Sequence, residues 1–100
     1  MKFSILIPSY NGANVIGDTL KSLLSQSFSD YEIIISDDAS TDNTEEVAKA
    51  FDDPRIKFFK NSKNLGYPGN LEEARKKASE ESAAMVMNKD RFAKVLEQAK

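Results

Sequence analysis

The sequence predicts an α/β fold in which four strands and four helices alternate along the chain. Two segments, Phe3 to Ile7 and Tyr31 to Ile35, are short and rich in β-formers, as buried parallel strands are. The segments that follow them carry apolar residues at helical spacing. This alternation predicts a mostly parallel sheet with helices on both faces, a three-layer sandwich. A length of 100 residues predicts a single domain, residues 1–100.

The first half of the chain contains the clearest elements. The first strand, Phe3 to Ile7, ends at Pro8, and Asn11-Gly12 forms a turn. The next helix runs from Asn14 to Leu24, with apolar positions at Val15, Ile16, Leu20, Leu23 and Leu24. The second strand contains three consecutive isoleucines, Ile33 to Ile35, so it is apolar on both faces and is predicted to be central in the sheet.

The second half of the chain carries weaker signals. Thr41 to Thr44 offer N-caps for a helix that begins with two glutamates and ends near Phe51. The remaining predicted elements are a strand from Ile56 to Phe59, a turn-rich segment from Asn61 to Asn70, a helix from Asn70 or Leu71, a strand from Ala83 to Met87 and a last helix from Arg91 to Ala99. Because Ala, Met and Glu favour helices, a helical hairpin over residues 71–100 is the alternative.

Composition excludes several classes of function. Lys and Arg total 14 and Asp and Glu total 16, which gives a net charge of −2. The chain therefore lacks the excess of positive charge that is typical of proteins that bind nucleic acid. The chain has no cysteine and no histidine, which excludes disulfides, thiolate nucleophiles and every catalytic triad built on imidazole. Its apolar runs are far shorter than the ~20 residues of a transmembrane segment, and no signal peptide is recognisable.

Three polar loops follow the first three predicted strands. They are Pro8 to Gly12, Ser36 to Asp42, and the glycine-containing segment Asn64 to Asn70. Because the carboxyl ends of parallel strands lie at one edge of a sheet, we expect these loops to converge there. Open α/β sheets bind their ligands at that edge, so the three loops form the candidate binding site.

Four segments occur in an order and at a spacing that are highly specific. They are Phe3-Ser-Ile-Leu-Ile-Pro-Ser-Tyr-Asn11, Leu20-Lys-Ser-Leu-Leu-Ser-Gln-Ser-Phe28, Glu32-Ile-Ile-Ile-Ser-Asp-Asp-Ala-Ser-Thr-Asp42 and Asn64-Leu-Gly66. Together they resemble the amino-terminal half of family 2 glycosyltransferases, closely over residues 1–77 and loosely beyond. The resemblance implies a Rossmann-like GT-A fold and a nucleotide-diphosphate-sugar donor, usually UDP-linked. It also implies transfer with inversion at the anomeric carbon.

The resemblance also implies roles for residues in the first two loops. Pro8 and Tyr10 correspond to the family's nucleotide-binding turn, in which Tyr10 lies against the uracil. A flat aromatic ring suits the face of any base. Asp38 corresponds to the second aspartate of the family's Asp-Asp-x-Ser-Thr-Asp motif and accepts a hydrogen bond from the base. Asp37 precedes it and orients the loop.

The third loop corresponds to the segment that closes over the nucleotide. Asn64 and Gly66 are its motif residues, and its glycines let the backbone approach the ligand. Purely structural interpretations stay open beside these roles. They are a simple turn for Pro8 to Gly12, a helix cap for Asp42 and a solvated face for Lys57, Lys60 and Lys63.

The chain departs from the family at the metal signature. Family members carry Asp-x-Asp after the fourth strand, which holds Mn²⁺ or Mg²⁺ on the donor diphosphate. Here the corresponding stretch is Asn88-Lys89-Asp90, so Asp90 is the one carboxylate left as a metal ligand, and we expect weak metal binding. Alternatively, Lys89 or Arg91 is a phosphate counter-charge, or the stretch caps the last helix.

The predicted function is donor binding by half of an enzyme. The acceptor-binding half and the general base of an inverting transfer would lie beyond residue 100, so we expect a fragment, a natural truncation or an engineered excerpt that is inactive alone. The acceptor would be a glycan or a lipid. We expect a cytoplasmic location, with membrane association through the missing regions.

Two other classes of function remain as alternatives. One is a non-catalytic α/β module that acts in assembly and forms a homodimer through its truncated sheet. The other is a doubly wound module of the dinucleotide-binding or receiver type. Neither of the glycine-rich phosphate-binding motifs occurs in the sequence, which disfavours the second alternative.

Overall fold

The computed structural model describes residues 3–27, 29–79 and 82–86. In these ranges the chain forms, in order, β1 (Phe3–Ser9), α1 (Ala13–Leu24), β2 (Tyr31–Asp37), α2 (Thr44–Lys49), β3 (Ile56–Lys60), α3 (Gly66–Lys77) and β4 (Ala83–Val86). The strands form one sheet in the order β3-β2-β1-β4, and every pair of neighbours is parallel. The predicted α/β class is confirmed.

Side chains alternate between the two faces of the sheet, and helices cover both faces. On one face, isoleucines of β1 and β2 pack with α1 and α2 in a cluster of Ile5, Ile7, Ile16, Leu20, Leu23, Tyr31, Ile33, Ile35 and Ala48. On the other face, Leu6 and Ile34 pack with Ala74 of α3. β2 is buried along its whole length, which confirms its predicted central position and accounts for its consecutive isoleucines.

The chain reverses its direction across the sheet at β1. From β1 it moves to β2 and β3 on one side, and it then places β4 on the other side of β1. As a result α1 and α2 cover one face and α3 covers the opposite face. The loop after β1 therefore lies at the topological switch point, where open α/β sheets bind ligands.

The prediction that Pro8 ends the first strand is wrong. β1 continues to Ser9, and Pro8 pairs with Ser36 of β2. The last described pair between β1 and β4 is Leu6 with Val86. Pro8 lies beyond it, so the missing N–H of the proline interrupts no described pair on that side.

The later elements confirm one prediction and correct another. β4 confirms the strand predicted from Ala83 to Met87, and the helical-hairpin alternative is wrong for residues 83–86. α3 begins at Gly66 rather than near Asn70, because its first N–H groups find a side-chain acceptor in the loop after β2. The predicted last helix, Arg91 to Ala99, lies outside the described residues.

The described helices are short. α1 and α3 have 12 residues each and α2 has 6. None of the helices in this part of the chain combines the length and the apolar character that a membrane-spanning segment requires.

A buried carboxylate joins the elements at the amino end of the sheet. Glu32 of β2 is 2% exposed. One of its oxygens accepts a hydrogen bond from Lys57 Nζ of β3 at 2.8 Å, and the other accepts from Ser4 Oγ of β1 and from the N–H of Ser79. Ser4 Oγ also pairs with Ser82 Oγ, just before β4. The cluster therefore ties three strands to the connection between α3 and β4.

These contacts determine the ionisation of Glu32. Burial raises the pKa of its carboxyl, but the hydrogen bonds from Lys57, Ser4 and Ser79 outweigh burial and lower the pKa from 4.5 to about 2. Because the folded-state pKa lies below the unfolded-state value, the ionised carboxylate contributes stability above pH 4.5. That contribution is lost as the pH falls from 4.5 toward 2.

Glu32→Gln should destabilise the fold and weaken its acid dependence. We expect a loss of about 1–3 kcal/mol in the free energy of unfolding at pH 7, because Lys57 and the Ser79 N–H lose a charged acceptor. Urea denaturation followed by circular dichroism between pH 7 and pH 2 measures the loss and the acid slope. Glu72→Gln, at an exposed position of α3, is the control. Equal acid slopes for Glu32→Gln and the unsubstituted chain would contradict the role of Glu32.

Candidate functional site

The loops that follow β1, β2 and β3 meet at the carboxyl edge of the sheet. The N–H of Asp38 donates to the carbonyl of Ser9 at 2.8 Å, and the N–H of Asn61 donates to the carbonyl of Asp37 at 2.8 Å. These bonds continue the strand pairing into the loops. The predicted convergence of the three loops is therefore confirmed.

The loop after β1 presents an aromatic ring to solvent. Tyr10 directly follows β1 and is 55% exposed. The next residue, Asn11, has a φ of 49°, a left-handed conformation that asparagine tolerates better than most residues. Its Oδ1 accepts the N–H of Thr41 at 2.8 Å, and its own N–H donates to Ser40 Oγ at 2.8 Å. The loop after β2 thus holds the turn in place while the Tyr10 ring stays at the surface.

Asp37 ends β2 and stabilises the loop behind it. It is fully buried, and its two carboxylate oxygens accept hydrogen bonds from the N–H and the hydroxyl of Ser40. This turn spans Ala39, whose φ of 61° is also left-handed. Asp37 therefore maintains the shape of the β2–α2 loop.

Asp38 anchors the start of α3. It is 3% exposed. Its Oδ1 accepts the N–H of Leu65 at 2.8 Å and Asn61 Nδ2 at 3.0 Å, and its Oδ2 accepts the N–H of Gly66 at 2.9 Å. The N–H groups at the start of a helix have no partner within the helix. The carboxylate supplies that partner, which explains the early start of α3.

One acceptor position of Asp38 is left over. A carboxylate oxygen accepts about two hydrogen bonds. Oδ1 is therefore saturated, whereas Oδ2 accepts a single bond, from Gly66, within the described part of the chain. Ser9 and Asp37 are paired across β1 and β2, so Tyr10 and Asp38, which follow them, occupy neighbouring positions at the edge. The site can offer one aromatic face and one carboxylate acceptor to a ligand.

Asn64 and Gly66 form the bend through which the chain enters α3. Asn64 Nδ2 donates to the carbonyl of Asp38 at 3.2 Å, and Asn64 Oδ1 accepts the N–H of Gly66 at 3.2 Å. Gly66 has a φ of 80°, and the space beside it where a Cβ would lie is open. The glycine is therefore required for its backbone conformation rather than for packing.

Two asparagines that the sequence analysis did not assign complete the edge. Asn70 of α3 is 3% exposed, and its Oδ1 accepts Ser36 Oγ at 2.7 Å and Asn61 Nδ2 at 3.0 Å. Its Nδ2 donates to the carbonyl of Ser9 at 3.4 Å. Asn70 lies one turn before the buried Ala74, so a polar residue on a buried helix face was the signal that could have identified it.

Three other polar residues singled out from the sequence, Asp42, Lys57 and Lys60, have structural contacts. Asp42 accepts the N–H of Ala13 at the start of α1 and both the N–H and the hydroxyl of Thr44 at the start of α2. The hydrogen bond from the Thr44 hydroxyl is the main cause that lowers the pKa of Asp42. Asp42 thus accepts the first N–H of both helices, as the capping interpretation expects, although the N-cap residues themselves are Gly12 and Asn43. Lys57 binds Glu32 at the opposite end of the sheet, and Lys60 lies 3.9 Å from a carboxylate oxygen of α2.

The predicted metal ligand Asp90 lies outside the described residues, as do Asn88 and Lys89. Across residues 3–27, 29–79 and 82–86, no group of three or more His, Cys, Asp or Glu side chains could hold a metal ion. Asp37 and Asp38 do not form such a group, and most of their acceptor positions are taken by protein donors.

Comparison with curated proteins finds relatives that are named as glucosyltransferases. Over 87 residues the chain is 36% identical to UDP-Glc:alpha-D-GlcNAc-diphosphoundecaprenol beta-1,3-glucosyltransferase WfgD of Escherichia coli, covering 87% of this chain and 34% of that protein. Over 92 residues it is 36% identical to GalNAc(5)-diNAcBac-PP-undecaprenol beta-1,3-glucosyltransferase of Campylobacter jejuni, covering 89% of this chain and 30% of that protein. The chain thus spans about a third of the length of these relatives.

Solved structures share the fold. The chain matches S. aureus TarS 1-349 in complex with UDP with a TM-score of 0.79 at 30% identity, covering 90% of this chain and 28% of that chain. It matches the mannosyltransferase PcManGT from Pyrobaculum calidifontis, in complex with GDP-Man and Mn²⁺, with a TM-score of 0.72 at 24% identity, covering 78% and 24%. These neighbours are GT-A glycosyltransferases, which confirms the predicted fold. The family model described as "Glycosyl transferase family 2" matches residues 4–94, and the chain therefore belongs to that family.

Proposed function

We propose that this chain is the donor-nucleotide-binding half of an inverting glycosyltransferase whose donor is a UDP-sugar. The observation that carries the proposal is that, among the described residues, Asp38 Oδ2 has one acceptor position to spare, in the loop that adjoins the exposed Tyr10 at the carboxyl edge of the sheet. The relatives support the same donor class. WfgD is named for UDP-Glc, and the TarS structure contains UDP.

In this proposal one aromatic face and one carboxylate recognise the base. The ring of Tyr10 stacks on the base, and the imide N–H of uracil donates to Asp38 Oδ2. Cytosine has an acceptor nitrogen at the position of that N–H, so CDP would place two acceptors against each other. A site built to receive a hydrogen bond discriminates strongly against a ligand that lacks the donor. The proposed site therefore prefers UDP to CDP.

Sugar transfer is proposed for a protein that includes more than residues 1–100. In an inverting transfer, a general base removes the proton of the acceptor hydroxyl, whose oxygen attacks the anomeric carbon opposite the departing UDP. The C–O bond to the diphosphate breaks, and UDP leaves with its electron pair. Both named glucosyltransferase relatives act on undecaprenol-diphosphate-linked glycans, so the acceptor class we propose is a lipid-linked or other glycan hydroxyl.

We also propose that the chain binds a divalent metal ion weakly. The PcManGT structure contains Mn²⁺ with its nucleotide sugar. In this chain Asp90 is the proposed ligand, with Asn88 as the second member of the altered signature. When bound, the metal would neutralise negative charge on the leaving diphosphate.

Assembly as a homodimer is less well supported than donor binding. β3 lies at one edge of the described sheet and carries Lys57 and Lys60. Lysines on an edge strand oppose pairing with a second copy. Donor binding is therefore the stronger candidate.

We propose that the protein acts in the cytoplasm, where nucleotide sugars are made, with membrane association through regions outside residues 1–100.

Calorimetric titration with UDP, with and without Mn²⁺, tests the proposed function directly. We expect saturable binding of UDP that Mn²⁺ strengthens only slightly, because Asp90 is the one carboxylate left in the signature. GDP and CDP are the control ligands, and both should bind more weakly than UDP. Absence of UDP binding at millimolar concentration would reject donor binding by this chain.

Tyr10→Leu tests the stacking contact. We expect UDP affinity to fall by about 1–3 kcal/mol, the contribution of one stacked base, while the unfolding temperature stays unchanged because the ring is exposed. Tyr10→Phe keeps the ring and should keep the affinity. Tyr10 is a cleaner probe than Asp38, whose carboxylate also anchors α3. Equal UDP affinity in the leucine variant and the unsubstituted chain would remove Tyr10 from the site.

A further inference from the structure

We propose that Asn61 and Asn70 are positioning residues for base selection. Asn61 occupies the second acceptor position of Asp38 Oδ1 and Asn70 orients Asn61, so that among the described residues a single acceptor is left for the imide N–H of the base. The inference rests on the proposed function, since it concerns how the same site distinguishes one base from another.

A continuous line of hydrogen bonds connects the two asparagines to Asp38. Ser36 Oγ donates to Asn70 Oδ1 at 2.7 Å, and Asn61 Nδ2 donates to the same oxygen at 3.0 Å. Asn61 Nδ2 also donates to Asp38 Oδ1 at 3.0 Å, and Asn70 Nδ2 donates to the carbonyl of Ser9 at 3.4 Å. The line joins the ends of β1 and β2, the residue after β3 and the buried face of α3.

The two ends of this line determine the direction of every bond in it. An ionised carboxylate and a backbone carbonyl can only accept, so Asn61 presents its NH₂ group to Asp38, and Asn70 presents its NH₂ group to Ser9. Asn70 Oδ1 then faces Asn61 and Ser36, both of which donate to it. Turning either amide over would place two donors or two acceptors in contact. One arrangement therefore satisfies the whole line.

As a consequence, one acceptor position of Asp38 stays free with respect to the residues that the structure describes. The N–H groups of Leu65 and Gly66 each hold one carboxylate oxygen, and Asn61 takes the second position on Oδ1. Without the Asn61 amide, the second acceptor position of Oδ1 would be free as well as that of Oδ2, and Oδ1 could accept a different donor. The exocyclic amino group of cytosine is such a donor. Asn61, oriented by Asn70, thus restricts the site to the uracil pattern.

The test compares UDP and CDP binding in Asn61→Ala and Asn70→Ala. The unsubstituted chain should prefer UDP, and we expect each substitution to lower the ratio of UDP to CDP affinity about tenfold, the effect of one hydrogen bond to a charged group. Calorimetric titration of the whole chain with each nucleotide gives the ratio. A merely structural role would weaken both nucleotides equally and leave the ratio unchanged.

Ala74→Gly is the matched control for stability. Ala74 lies on the same buried face of α3 and packs with Leu6 and Ile34 rather than with the loops. Glycine there destabilises the helix and lowers the unfolding temperature. The ratio of UDP to CDP affinity should stay at the value of the unsubstituted chain.

Asn61→Ala decides the outcome if Asn70→Ala is too unstable to purify. Asn61 is only half-buried, and its backbone hydrogen bond to Asp37 does not involve the side chain, so this variant should stay folded. An unchanged ratio in Asn61→Ala overturns this inference and leaves donor binding standing. Equal binding of UDP and CDP by the unsubstituted chain overturns base selection by Asp38 and this inference with it. Absence of binding by the unsubstituted chain overturns the proposed function as well.

Discussion

Burial of β2 on both faces is the constraint on which the rest of the structure depends. Every residue from Tyr31 to Asp37 is buried, so each polar group on this strand needs a partner inside the protein. Glu32 finds its partners on β1, β3 and the α3–β4 connection, whereas Ser36 and Asp37 find theirs at the carboxyl end. Within the described ranges no buried side-chain nitrogen or oxygen lacks a partner. One strand thereby ties the sheet together at one end and shapes the loops at the other.

At the carboxyl end, the same groups serve the fold and the proposed binding site. Asp38 completes the hydrogen bonding of the α3 start and, among the described residues, retains one acceptor position. The exposed ring of Tyr10 stands apart from this network, and stacking can therefore be varied without altering the loops.

Family membership places these observations on a known scaffold, and the sequence predicts that the chain departs from the family at the metal signature. β4 is parallel to β1 and runs toward the edge where the loops meet. The stretch Asn88-Lys89-Asp90, in which one carboxylate replaces two, follows that strand in the sequence. The base recognition that we propose for Tyr10 and Asp38 does not involve that stretch. The proposed site thus separates selection of the nucleotide, which the described residues can perform, from the handling of diphosphate charge.

Local periodicity was enough to predict the alternation of strands and helices, the central position of β2 and the meeting of three polar loops, because each follows from neighbouring residues and from the geometry of parallel strands. The four motifs likewise identified Tyr10 and Asp38 as candidates. The order of the strands, the start of α3 at Gly66 and the placement of Asn61 and Asn70 required the tertiary structure. The N–H groups of Leu65 and Gly66 are satisfied by a carboxylate 27 and 28 positions earlier in the chain. A hydrogen bond between such distant residues leaves no periodic trace in the sequence, since it arises only when the sheet brings the loops together.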